Sequence, residues 1–171
     1  MKYILKVRDH RGFTLIEIIA ILIIVGIVAA VVIGRATGTS ETSRVVQESV
    51  IKNHIRYAQS MAMKQGTIII PVWGIRCDGT DYWLFRTNTP DTPANQVVLP
   101  GEDNAKVTLA NKYVSMTAFT VFFDANGRPY TAYTDAAANT AVSAPLSITV
   151  DSVPAGNPGT FSIAPETGFI P

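Results

Sequence analysis

The chain has 171 residues, 47% of them apolar, and a formal net charge of +1. That length suits one modest globular domain beside an extended helix and excludes two full domains. A near-neutral body without a clustered Lys/Arg run argues against a dedicated nucleic-acid binder, and a single cysteine, Cys77, excludes an intramolecular disulfide and a thiol metal site.

The first twelve residues carry Lys2, Lys6, Arg8 and Arg11 against Asp9 alone, so the remainder is slightly acidic. Sixteen residues from Ile18 to Ile33 pass without a charge, and counted from Phe13 the apolar segment reaches twenty-one, with Glu17 as its one charge. That length crosses a bilayer. The basic flank places residues 1–12 in the cytoplasm and the bulk outside, four leader cations outweighing Arg35. A secretory signal peptide fits less well, because its shorter core ends in a small-x-small cleavage site, whereas Ala29-Ala30 leads into more Val and Ile. A plain transmembrane anchor leaves Glu17 unexplained. A carboxylate within a span costs up to about 3 kcal/mol, so it demands a partner or a snorkelling route to the headgroups.

Arg11-Gly12-Phe13-Thr14-Leu15-Ile16-Glu17, followed by the apolar run, resembles the signal of type IV prepilins and type II secretion pseudopilins. The likeness is close over roughly the first 35 residues and loose beyond. It implies cleavage by the prepilin peptidase between Gly12 and Phe13, with N-methylation of Phe13 as the new terminus. It also gives Glu17 a partner, the amine of Phe13 on a neighbouring subunit, a pairing that would set the register of assembly. Major pilins of the family often have proline where this chain has Gly34, the twenty-second residue after the junction. Gly26 and Gly34 weaken the helix by about 1 kcal/mol each relative to Ala. They serve either local unwinding in a filament or close packing through small residues, as Gly34-x-x-x-Gly38 also allows.

Residues 41–65 contain neither Gly nor Pro, and their periodicity predicts an amphipathic helix. Val46, Val50, Ile51, His54, Ile55, Tyr57, Ala58, Met61 and Ala62 share one side; Glu48, Lys52, Arg56, Gln59 and Ser60 take the other. The simplest reading is one helix from about Phe13 to Gln65, weakest at Thr37–Ser40 and capped by Gly66. His54, within the apolar arc and with only His10 as companion, reads as a satisfied core histidine rather than a ligand.

Past Gly66 the period changes. Residues 67–76 and 82–87 flank Asp78-Gly79 as a hairpin, and residues 114–124 lead through Asn126-Gly127 to a returning strand at 130–133. Strands at 146–150 and 160–163 follow, giving an antiparallel sheet packed on the helix; residues 89–111 read as loop. The fold class is α+β and pilin-like. The expected divisions are a cleaved leader (1–12), a transmembrane and assembly helix (13–35), its amphipathic continuation (36–66) and a periplasmic β-rich domain (67–171). The order of helix, β-rich domain, FFDANGRP and closing IAPETGFI resembles the GspH/FimT-like group of minor pseudopilins and pilins.

No catalytic set is available, since the mature chain has one His and one Cys. Asp124-Ala125-Asn126-Gly127 begins like a calcium loop, but Pro129 and Asp135 stand where such a loop needs Gly and Glu, and Asp78, Asp81 and Gly79 read as a turn. No enzyme activity, cofactor or metal is expected. The resemblance implies a structural subunit of a type II secretion pseudopilus, or alternatively a minor type IV pilin for adhesion, motility or DNA uptake, with a ligand-binding tip as one form. Its partners would be the prepilin peptidase, other pilins or pseudopilins, the inner membrane and its assembly platform. It would be single-pass in the inner membrane before entering a periplasmic or surface filament. DNA capture in this group uses arginines near the C-terminus, and no cation follows Arg128 here, so no nucleic acid is expected.

Overall fold

The computed structural model describes the backbone of residues 14–65 and 72–171; side chains are described over the same ranges apart from 32–40 and 65. Leu15–Gln65 forms one α-helix, α1, continuous through Thr37–Ser40. Thr14 caps its start: its hydroxyl and its carbonyl accept from the Glu17 N–H at 3.3 and 3.0 Å. The chain divides at Gly38/Thr39 into two compact units. The expected Gly66 cap and residues 67–71 lie outside the described residues.

Among the described residues of the unit from Thr39 onward, ten strands follow the helix. They are β1 (Trp73–Cys77), β2 (Asp81–Arg86), β3 (Gln96–Val97), β4 (Lys106–Thr108), β5 (Val114–Met116), β6 (Phe119–Phe123), β7 (Pro129–Tyr133), β8 (Asn139–Ala141), β9 (Leu146–Ser152) and β10 (Gly159–Ile163). They form two antiparallel sheets rather than the single sheet expected. The larger runs β3-β2-β1-β6-β7-β8, with β4 also on the β2 edge; the smaller runs β10-β9-β5. The expected strand over 114–124 is two strands in different sheets. Thr117 makes the switch, its N–H donating to the Thr149 carbonyl and its hydroxyl accepting from the Thr149 N–H, both at 3.1 Å.

Both expected hairpins form. Asp78 Oδ1 accepts the N–H groups of Thr80 and Asp81 at 2.8 Å, while Gly79 supplies φ +97°. Asp124 Oδ1 accepts from Asn126 and Arg128 at 2.9 Å, with Gly127 at φ +77°. Strand alternation sorts the large side chains onto two faces. Trp73, Ile75, Tyr82, Leu84, Val121 and Phe123 join Ile51, Ile55, Ala58 and Ala62 of α1 and Ile148, Val150, Phe161 and Ile163 of the smaller sheet in one core. On the outer face Trp83, Phe85, Phe122, Tyr130 and Tyr133 form a second cluster. Tyr130 and Tyr133, three residues apart, would face opposite ways in a regular strand; the register shift between Tyr130 and Ala132 puts both outside.

The helix wheel needs one correction and one addition. Val46, assigned to the apolar side, is 53% exposed. On the other side, Glu48 is no free solvent charge: it pairs with Arg44 at 2.7 Å and Lys52 at 3.0 Å. Gly159 of β10 lies so close to this ladder that a β-carbon there would meet the Arg44 and Glu48 side chains, and Lys52 lies 5.3 Å from the centre of the Phe161 ring.

Candidate functional site

Of the predicted assembly residues, Glu17 lies at the start of α1. Gly12 and Phe13 fall outside the described residues. Glu17 is exposed at the third position behind the Thr14 cap, so Thr14-x-x-Glu17 has the capping-box pattern, with a carboxylate at the positive end of the helix. That local role was legible in the sequence and was overlooked there. Among the described residues, no ion pair engages the Glu17 carboxylate.

Thr14 through Val31 are all exposed, from Leu15 at 79% to Ile19 at 43%. A helical stretch of Ile, Leu and Val uncovered on every side requires lipid or other protein around it. Gly26 sits in open space, with nothing within 4 Å of a β-carbon built there. It therefore packs against no neighbour among the described residues. The side-chain surroundings of Gly34 lie outside the described residues.

Among the described residues no helix is long and apolar enough to cross a membrane. The segment with described side chains, Leu15–Val31, rises about 26 Å, short of the roughly 30 Å hydrocarbon core. The expected span depends on Val32 and Ile33 as well.

In the unit from Thr39 onward the titratable residues singled out from the sequence occupy structural positions. His54 is buried; its Nε2 lies 3.1 Å from the Pro100 carbonyl and its Nδ1 3.0 Å from the Tyr82 hydroxyl. A carbonyl only accepts, so Nε2 carries the proton and Nδ1 accepts from Tyr82. Desolvation lowers the His54 pKa below the ordinary 6.5, against upward pulls from the Pro100 carbonyl and Glu102. Burial pushes the Cys77 thiol up to about 11, so it carries no thiolate at neutral pH. Asp124 is filled by protein donors, with Tyr130 donating to Oδ2 at 3.1 Å in addition to the two N–H groups on Oδ1. Two backbone N–H bonds, from Asp81 first and then Thr80, hold the Asp78 carboxyl below its usual range. Among the described residues no group of three or more His, Cys, Asp or Glu side chains could hold a metal ion. Arg128 pairs with Glu166 at 2.7 Å, which occupies the last cation of the chain.

Residues 7–33 match the family model of the prokaryotic N-terminal methylation motif, a type IV prepilin-like signal. No curated protein and no solved structure matches the chain. The motif family is structural rather than enzymatic, and it implies processing by a prepilin peptidase and assembly with other pilins. The chain carries the signal of a type IV pilin- or pseudopilin-like precursor.

Proposed function

We propose that this protein is a minor subunit of a pilus-like filament, with a type II secretion pseudopilus as its machine. In this reading the prepilin peptidase cuts between Gly12 and Phe13 and methylates Phe13. Residues 13–35 hold the precursor in the inner membrane with the β-rich domain in the periplasm. Assembly then proceeds through the same helix, with the Glu17 carboxylate set against the Phe13 amine of the next subunit. Counted from Phe13 to Ile33, the apolar segment has the twenty-one residues that a crossing of the hydrocarbon core needs. One observation carries the reading: the methylation motif over residues 7–33 runs into a helical apolar stretch left uncovered by the rest of the described chain. The pairing of Arg128 with Glu166 speaks against a DNA-capturing tip, since it engages the last cation of the sequence.

The test is mass spectrometry of the protein from two fractions of its native cell, sheared surface filaments and washed envelope. A peptide beginning at methylated Phe13 and enriched in the envelope is the expected result. The same peptide enriched in sheared filaments would make the protein a minor type IV pilin. Residues 1–12 retained in the mature protein would overturn both.

A further inference from the structure

The outer face of the larger sheet bears a groove of about 550 Å³, which the filament reading does not use. Its floor is Phe122 and Tyr133, and its sides carry Arg76, Asp91, Thr120 and Thr131. Its far wall is the segment after β2, folded back over the sheet. That fold-back begins at Thr87, whose φ of +77° is a conformation a β-branched residue adopts only under constraint. The wall is then pinned at three places. Trp83 Nε1 donates to the Pro90 carbonyl at 2.7 Å, Asn88 Nδ2 to the Thr134 carbonyl at 2.9 Å, and Asn95 Nδ2 to the Thr89 hydroxyl at 2.7 Å. A groove whose wall is held in advance spends little binding energy on ordering itself.

The lining selects its ligand by elimination. Arg76 and Asp91, 3.3 Å apart, cancel each other's charge, so neither an anion nor a cation gains a net field. The aromatic floor is a narrow strip, with Phe122 at 5% and Tyr133 at 9% exposure, which meets the C–H face of one sugar ring but is too small to cover a lipid chain. Threonine hydroxyls, a guanidinium and a carboxylate remain: donors and acceptors mixed at close spacing over a narrow apolar strip. The volume lies within the range of small-molecule sites. We propose that this groove binds a neutral saccharide, its hydroxyls bridging Arg76 and Asp91 on one side and Thr120 and Thr131 on the other, with a sugar C–H face toward Phe122 and Tyr133.

The test uses the full chain in a detergent without a sugar headgroup, because a glycoside detergent would compete. Cellotriose, maltotriose and tri-N-acetylchitotriose are titrated by calorimetry beside an acidic trisaccharide, 3′-sialyllactose. The expected result is a Kd of about 1 mM or tighter for at least one neutral sugar. Thr120→Val with Thr131→Val should weaken it at least tenfold, as should Asp91→Ala, with near-UV circular dichroism unchanged. Failure of all three neutral sugars to bind, preference for the acidic sugar, or retained affinity in both folded variants would each overturn the proposal. The processing of residues 1–12 is read in a separate experiment, so the two readings can fail independently.

Discussion

The imidazole of His54 joins three pieces of the unit from Thr39 onward: α1, strand β2 through Tyr82, and the turn at Pro100. The neutral ring satisfies both contacts, and protonation would place a second donor against the Tyr82 oxygen. Glu102 and Lys112 face the ring from the loop side, and their effects on it oppose one another; they also pair with each other at 2.9 Å. Because the folded pKa lies below 6.5, the unfolded chain takes up the proton first as pH falls. His54 therefore contributes stability that is fully present above pH 6.5 and is lost as pH falls through that value toward the lower, folded pKa. Thermal melts of the full chain in detergent, followed by the near-UV signal of Trp73 and Trp83, should show the midpoint falling from pH 7.5 to pH 5.5. His54→Gln should flatten that slope while lowering the midpoint throughout. An unchanged slope in the variant would assign the pH dependence elsewhere. Gly74 is the second residue on which packing turns. A β-carbon there would meet the Val121 carbonyl and stand 2.5 Å from Phe85 Cζ and 3.1 Å from Phe122 Cα. Gly74→Ala should cost about 3 kcal/mol in denaturant unfolding, since a central strand paired on both sides cannot yield. A loss under about 1 kcal/mol would mean that the outer aromatic cluster shifts freely.

Among the elements, the C-terminal segment is fastened by polar contacts that leave no apolar pattern. Gln59 on α1 donates through Nε2 to the Gly127 carbonyl of the β6–β7 turn and to the Thr167 carbonyl, both at 2.9 Å, and Arg56 donates to the Ile170 carbonyl at 2.9 Å. Gly168, at φ +64°, has no room for a β-carbon between Gln59 and the Gly127 carbonyl. Gln59→Leu removes both donors and should cost about 1–3 kcal/mol. Hydrogen exchange of residues 164–170 should rise more than that of β9 and β10; a uniform rise would point to global destabilisation. Such contacts also mark how far sequence reading reached. The helix and the Asp78-Gly79 and Asn126-Gly127 hairpins were legible because period and turn chemistry are local. Strands β3, β4 and β8 were not, being two or three residues long and formed by pairing to neighbours rather than by their own alternation. The switch at Thr117 was hidden for a related reason: no Gly, Pro or charge interrupts VSMTAFTVFF, and the partner that divides it, Thr149, lies 32 residues on. The saccharide groove was equally out of reach, because its wall sits in the stretch read as loop and its floor depends on the β7 register shift.

For the molecule as a whole, the question is what Glu17 contributes beyond its own helix. Two roles compete for it. As the third residue behind Thr14, Glu17 completes a capping-box pattern, a role that needs only a side chain able to accept a hydrogen bond. As an assembly contact, it needs a full negative charge to offset the Phe13 amine of a neighbouring subunit within the membrane. Gly12→Val separates processing from both, and should leave the uncleaved precursor in the envelope. Glu17→Gln then distinguishes the two, because glutamine serves the cap as well as glutamate but carries no charge. The expected outcome is normal cleavage at Phe13 with filament incorporation reduced at least tenfold, scored by quantitative mass spectrometry of the filament fraction against the membrane pool. Glu17→Ala should lose incorporation to the same degree or more. Incorporation of Glu17→Gln at the native level would remove the charge pairing and leave Glu17 as a capping residue on a helix assembled by apolar packing alone.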